Sequence, residues 1–399
     1  MISVAEAERI ILSAARDFGT EEIPFTAALG RTLARDLLAD RDFPPFNRVT
    51  MDGIAIAFRD WEQGMRDFTI TATQAAGDAP LVLTQPGECI EIMTGAALPP
   101  TADTVISYEE LQLQRPRATI AGEVKQGQNI HVRGRDRQQN DVLVPAGTII
   151  TPAIVGLAAA TGATRLLVRK LPRVAVFSTG DELVSPEEVP LPAQIRRSND
   201  FTIAAVLQQR GIETELVPLG DDPAAIRQAL SEGLQNFDAV LLSGGVSMGR
   251  FDHVPGILKE LGVEQLFHRI RQRPGKPFLF GQKSGGATVF AFPGNPVSTF
   301  LCLHRYFLPW LNAGLGLATT AVFAVLDQSV TFEPPLHYFL QVRLTVSNDG
   351  RLTATPAAGN GSGDFVNLAS AQAFLELPAD QNNFEAGSVH RVWPFGPLV

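Results

Sequence analysis

The spacing of hydrophobic positions changes character along the chain, and each change predicts a different kind of element. Val4, Ile11 and Phe18 recur at helical intervals behind Ser3-x-x-Glu6, a capping box, which predicts a first helix ending before Gly19. A second helical stretch is predicted over residues 26–38, and Pro44-Pro45-Phe46 breaks it. From residue 49 to about 126, short alternating segments punctuated by glycine and proline predict a small β-rich domain. Helix-like residues return over 153–162, so the β-rich region reads as an insertion into a helical domain.

From Pro172 the period becomes strand, turn, helix. Strands are predicted over residues 173–178, 213–219, 238–242, 278–280 and 288–292. Between them come a helix over 199–210, a helix opened by Asp222-Pro223 as N-cap and N1, and a helix opened by Asp252. Pro293-Gly-Asn-Pro296 opens a last one. This alternation predicts a doubly wound, mostly parallel sheet. In the tail Tyr338, Leu340, Val342, Leu344 and Val346 alternate with polar residues, a half-buried strand. Several such segments predict a small β-barrel or sandwich. The fold class is therefore α/β plus β in several domains: a helical N-terminal domain at 1–45 and 127–170, an inserted β-rich domain at 46–126, a central α/β domain at 171–318 and a C-terminal β domain at 319–399.

Chemistry gathers at one edge of the predicted sheet. Gly244, Gly245 and Gly249 follow a strand, and glycines there let backbone N–H groups converge on an anion; a plain tight turn is the alternative. Asp181 and Glu182, Asp221 and Asp222, and Asp252 follow successive strands, so all fall at the same carboxyl edge. Clustered carboxylates repel unless a cation compensates, and Mg²⁺ beside a phosphate fits, since it takes one or two carboxylates plus phosphate oxygens. Pro274-Gly-Lys276-Pro277 adds a positive charge in a stiff loop. Taken singly, Asp222 and Asp252 read as helix caps and Lys276 as a solvated cation.

Other chemistries fall away. Gly245-Val-Ser247-Met-Gly249 satisfies the pattern of a hydrolase nucleophile elbow, but an elbow turns straight into a helix and here the helix is predicted only from Asp252. No P-loop motif occurs, the six histidines lack ligand spacing, and Met51 and Met93 read as packing residues. A net charge of −9 argues against generic binding of nucleic acid or an anionic membrane. The length of 399 residues predicts two to four domains. Cys89 and Cys302, in apolar contexts without CxxC spacing, read as buried reduced thiols. With no signal peptide evident and no long apolar run, the expectation is a soluble, cytoplasmic protein.

Pro44-Pro45-Phe46 leading to Met51-Asp52-Gly53, Ile92-Met93-Thr94-Gly95-Ala96, Ser178-Thr-Gly-Asp-Glu-Leu183, Ser243-Gly-Gly-Val-Ser247, Pro274-Gly-Lys-Pro277 and Pro293-Gly-Asn-Pro296 together resemble the MoeA family of molybdopterin molybdenumtransferases, to which the C-terminal part of gephyrin is related. The likeness runs through nearly the whole chain in order. It implies insertion of molybdenum from molybdate into adenylyl-molybdopterin with release of AMP, assisted by Mg²⁺. It implies four domains in an elongated homodimer, with a cleft between the α/β domain of one subunit and the inserted domain of the other. It also points to molybdopterin adenylyltransferase and molybdopterin synthase as partner enzymes, with no nucleic acid and no membrane.

Motif by motif, the resemblance implies catalytic roles for Asp52, Thr94, Asp136, Glu182, Asp252 and Lys276. It implies substrate binding by Gly244, Gly245, Ser247, Pro293, Asn295 and Pro296, and metal binding by Glu182, Asp252 and one or both of Asp221 and Asp222. Asp52 and Asp136 would work on the molybdate side, and Lys276 would offset phosphate charge. The chain departs from the family pattern at Arg135, where Gly-Glu-Asp is usual, at Arg197, where Gly-Gln-Ile-x-Asp-Ser-Asn is usual, and at Arg273, which replaces a lysine. Two acids traded for arginines make the cleft less negative. Nucleotide transfer of the adenylyltransferase kind and a non-catalytic molybdopterin-binding scaffold are the alternatives; the retained acids speak for catalysis.

Overall fold

The computed structural model describes residues 1–246, 253–357 and 359–396. The chain forms two compact units, one of Met1–Glu22, Gly30–Ala34 and Leu167–Val399, the other of Ile23–Leu29 and Arg35–Leu166.

The first unit is built on a six-stranded sheet. Thr214–Leu219, Val174–Thr179, Ala239–Ser243 and Thr288–Phe292 lie side by side and parallel, in that order. Leu279–Lys283 and Val263–His268 extend the sheet antiparallel, so the expected mostly parallel sheet is mixed at one edge. The reason is the connection. Only four residues join Lys283 to Thr288, enough for a hairpin and far too few for a helical crossover. All five residues of Ala239–Ser243 are buried, as befits a strand covered on both faces. On one face Val174 and Val176 pack with the helices Val4–Ser13 and Asn199–Gln208; on the other Ala175 and Phe177 pack with Pro223–Asn236 and Val254–Glu260. The sheet is doubly wound. Its register sets Ser178, Pro218, Ser243 and Phe292 abreast, so the segments after the four parallel strands leave from one edge.

The Ser3 half of the capping box forms: Ser3 Oγ accepts the Glu6 N–H at 3.1 Å. The helix ends at Ser13 rather than near Gly19, and Phe18 packs edge-on to Trp310 instead, with ring centroids 5.5 Å apart. In the tail Val322–Leu326, His337–Val346, Leu352–Pro356, Ala373–Leu377 and Val389–Pro394 pair around a closed ring, a five-stranded barrel. Leu340 and Val342 fill it as the alternation predicts. Phe339, on the opposite face of the strand, is buried as well, in the aromatic core of the α/β domain, while Val346 is exposed.

The second unit carries the β-rich region as one six-stranded sheet, in the order Thr104–Ser107, Gly53–Ile56, Glu88–Ile92, Asp67–Gln74, Arg117–Ile120, Leu111–Gln114. The surrounding segments, expected to be helical, are so only in part: the helices expected from Val4 and over 153–162 form, and the one over 26–38 does not. Within 1–45 and 127–170 the α-helices are Val4–Ser13 and Pro152–Ala160, and the rest is a 3₁₀ turn at Phe25–Ala27, short strands and loops. Residues 26–38 contain good helix formers, but tertiary pairing overrides propensity. Gly30 breaks the run at φ +76°, Leu33 bridges Val168, and Leu37–Leu38 pairs with Val142–Val144.

Candidate active site

A cavity of about 990 Å³ opens at the carboxyl ends of the four parallel strands. It lies entirely within the first unit, where open α/β sheets hold their ligands. Gly244 and Gly245 floor it with φ of +97° and +67°. Neither tolerates a side chain: a Cβ on Gly244 would lie 2.7 Å from the Thr179 carbonyl oxygen, and one on Gly245 would lie 2.8 Å from Thr179 Oγ1 and 2.9 Å from Val254. The hydroxyls of Ser178 and Thr179 are buried at this edge, line the cavity and have no partner among the described residues.

The acids at the edge divide by what their carboxylates already hold. Asp222 caps the helix Pro223–Asn236, accepting from the N–H groups of Ala224 and Ala225 at 3.4 and 3.2 Å, and so has the plain capping role. Asp181 accepts the Asp221 N–H at 2.9 Å and fixes that turn. Glu182 and Asp221 line the cavity. Glu182 folds back over Gly180, whose absent Cβ would lie 2.5 Å from the carboxylate. Asp252 and Ser247 lie outside the described residues. Among the described residues no three His, Cys, Asp or Glu side chains gather as a metal site.

Facing the acids is a basic turn. Arg273, Pro274, Gly275, Lys276 and Pro277 all line the cavity, with Arg273 and Lys276 exposed to it. Pro293, Asn295 and Pro296 form a third wall. Thr299 Oγ1 donates to the Pro293 carbonyl at 2.6 Å, tying this turn to the helix that Pro296 opens.

Asp52, Thr94 and Asp136 belong to the second unit. Asp52 and Thr94 are brought together: the N–H and hydroxyl of Thr94 both donate to Asp52 Oδ1, at 2.6 and 2.7 Å. These bonds hold the Asp52 carboxyl below its usual range, the backbone one contributing most. Gly53 is dictated by packing, because a Cβ there would collide with the Ile106 carbonyl oxygen of the adjacent strand. Asp136 pairs instead with His131, Oδ1 to Nε2 at 2.9 Å. The strand Arg48–Val49 runs between the two pairs, bonded to Ile130–His131 on one side and to Gly95–Ala97 on the other. Met51, expected to pack, is 41% exposed.

Residues 2–162 match the MoeA N-terminal region (domain I and II), 175–313 a probable molybdopterin binding domain and 324–395 the MoeA C-terminal region (domain IV). A molybdopterin molybdenumtransferase from Synechocystis sp. is 36% identical over 97% of this chain and 98% of its own. One from Staphylococcus epidermidis is 30% identical over 97% and 94%. The crystal structure of a molybdopterin biosynthesis MoeA protein from Pyrococcus horikosii superposes with a TM-score of 0.85 at 27% identity, covering 100% of both chains. The chain belongs to the MoeA family.

The departures from the MoeA pattern have distinct settings. Arg197 lines the cavity, but its Nη1 donates to the buried Asp200 at 2.8 Å and its guanidinium lies over Phe201, so part of its charge is compensated within the chain. Arg135 is exposed in the second unit. Several cavity residues are not among the site residues that the sequence points to. Asn199 Nδ2 donates to Ser243 Oγ and to the Gly294 carbonyl, both at 2.7 Å, clamping the glycine turn to the Pro293–Pro296 turn. Ser362 accepts from Asn295 at 2.9 Å, and the stacked rings of Phe332 and Tyr338, with centroids 4.2 Å apart, line the cavity from the C-terminal domain. Cys89 and Cys302 are buried free thiols, and burial raises both well above the usual thiol range. Among the described residues no helix is long and apolar enough to cross a membrane.

Proposed function

We propose that the cavity of the α/β unit holds adenylyl-molybdopterin, and that the protein, a molybdopterin molybdenumtransferase of molybdenum cofactor biosynthesis, inserts molybdate there with release of AMP. The observation that carries this reading is a single cavity combining a glycine floor for phosphate, two exposed cations from one turn and two carboxylates, those of Glu182 and Asp221, with no structural task among the described residues. Gly244 and Gly245 receive the phosphates, with the hydroxyls of Ser178 and Thr179 beside them. Lys276 offsets the charge that develops as the phosphoanhydride is cleaved. Phe332 and Tyr338 offer an aromatic wall for a ring of the substrate.

The cavity donors fit Mg²⁺, which takes one or two carboxylates and completes its shell with phosphate oxygens and water. Glu182 and Asp221 would hold it; Asp222 is occupied as a cap. When bound, Mg²⁺ supplies positive charge to the phosphates. Asp52, with Thr94, and Asp136 work on the molybdate side. The protein acts as a homodimer in which the β-rich unit of one subunit serves the cavity of the other. Mixing Asp52→Asn with Lys276→Ala protein should then restore part of the turnover that each lacks.

The test of the function is AMP release from adenylyl-molybdopterin with and without molybdate and Mg²⁺. Molybdate-dependent release supports the transferase. Tight binding without cleavage would make the protein a molybdopterin-binding scaffold and overturn the proposal.

A further inference from the structure

We propose that Gln272 is a positioning residue that fixes the basic turn Arg273–Pro277 and thereby sets where Lys276 meets the substrate; the proposal rests on the reading of the cavity given above. Gln272 is completely buried beneath the turn. Its carbonyl oxygen accepts from the hydroxyl of Tyr306, itself 1% exposed. Its Nε2 donates to the carbonyls of Pro274 and Gly275, at 3.1 and 3.4 Å.

The orientation of the amide follows from its neighbours. A flipped amide would aim its oxygen at two carbonyl oxygens, so Nε2 must face the turn. Burial pushes the Tyr306 hydroxyl well above its usual pKa, so it remains a protonated donor. Gly275, at φ +83°, is pressed against this amide: a Cβ there would lie 2.7 Å from Nε2 and 2.9 Å from Cys302 Sγ. Two consecutive carbonyls of the turn thus face inward, while the side chains of Arg273 and Lys276 on either side face the cavity. Without the amide these carbonyls would be buried unpaired, and the turn would move toward water to satisfy them. Lys276 would move with it.

The experiment is a kinetic double-mutant cycle. Gln272→Met keeps the volume and removes both donors. It should lower kcat for molybdate-dependent AMP release roughly ten- to a hundredfold, with a much smaller change in KM. In a Lys276→Ala background the same substitution should lose nothing further, because its effect runs through Lys276. A full multiplicative loss in both backgrounds, or no loss in either, would overturn the proposal. Should Gln272→Met fail to fold, Tyr306→Phe removes only the hydroxyl that orients the amide and takes the same cycle. A wild-type protein without molybdate-dependent AMP release would sink the functional reading instead. Calorimetric titration with AMP then decides for Gln272: weaker binding to Gln272→Met only when Lys276 is present supports positioning, and equal binding overturns it.

Discussion

The cavity of the α/β unit and the acid pairs of the β-rich unit solve the same problem of holding charge in place by opposite means. The cavity is built largely from backbone. Gly244, Gly245 and Gly275 occupy spaces that no side chain fits, its turns are tied to one another by Asn199, Thr299 and Ser362, and two acids at the same sheet edge, Asp181 and Asp222, are spent on holding the chain. Asp52 and Asp136 are exposed side chains, each held through one neighbour: Thr94 for the first, His131 for the second. Under the proposed function the first part recognises and the second reacts. A backbone site is preorganised for a bulky anion, whereas an exposed carboxylate held at one oxygen keeps its other oxygen free to accept a hydrogen bond or a proton.

The largest effect is expected at the glycine floor. Gly244→Ala sets a Cβ 2.7 Å from the Thr179 carbonyl at a φ of +97°, which should cost about 1–3 kcal/mol of stability and abolish binding of adenylyl-molybdopterin. Denaturant unfolding and calorimetry check the two parts, and an alanine variant that binds normally would break the comparison from the cavity side. Asp52→Asn comes next. It keeps the acceptor that Thr94 uses, so binding should persist while kcat falls about a hundredfold or more. Because the Thr94 bonds hold the Asp52 carboxyl below the usual carboxylate range, it should contribute no acid limb to the pH profile between pH 5 and 8.

How much of this was legible in the sequence depends on where the information lies. Asp181 to Asp222 were assigned to one edge by strand alternation alone, because parallel strands must end together. Which of them are free for chemistry was not legible, since that depends on hydrogen bonds such as Asp181 to the Asp221 N–H. The pattern of 26–38 misled because helix propensity is local, whereas the pairings of Leu33 and Leu37 join residues more than a hundred positions apart. Tyr306 and Ser362 were silent for the same reason, as each acquires its task from a distant segment, and Gln272 bonds the adjacent turn with an amide that the distant Tyr306 orients. Ser247 and Asp252 lie outside the described residues.

A smaller effect is expected at Glu182. Glu182→Gln leaves the fold intact and should raise the Mg²⁺ concentration for half-maximal AMP release about tenfold; an unchanged Mg²⁺ dependence would remove Glu182 from the metal's ligands. The smallest effect on turnover is expected in the core behind the site. Burial beside Phe300 and Phe395 pushes His304 down to about 4. The unfolded chain therefore binds a proton as pH falls below about 6.5 that the folded chain refuses until about 4, so stability present near pH 7 is lost across that window. His304→Phe should flatten the fall of Tm between pH 6.5 and 4 and leave turnover at pH 7 nearly unchanged.

The most direct measurement is calorimetric titration of adenylyl-molybdopterin into the wild type, Gly244→Ala and Asp52→Asn, with AMP release recorded on the same samples. The account predicts that Gly244→Ala loses binding and turnover together, while Asp52→Asn binds like the wild type and releases little AMP. Loss of binding in Asp52→Asn, or normal binding in Gly244→Ala, would contradict the division between a recognising cavity and a reacting acid pair.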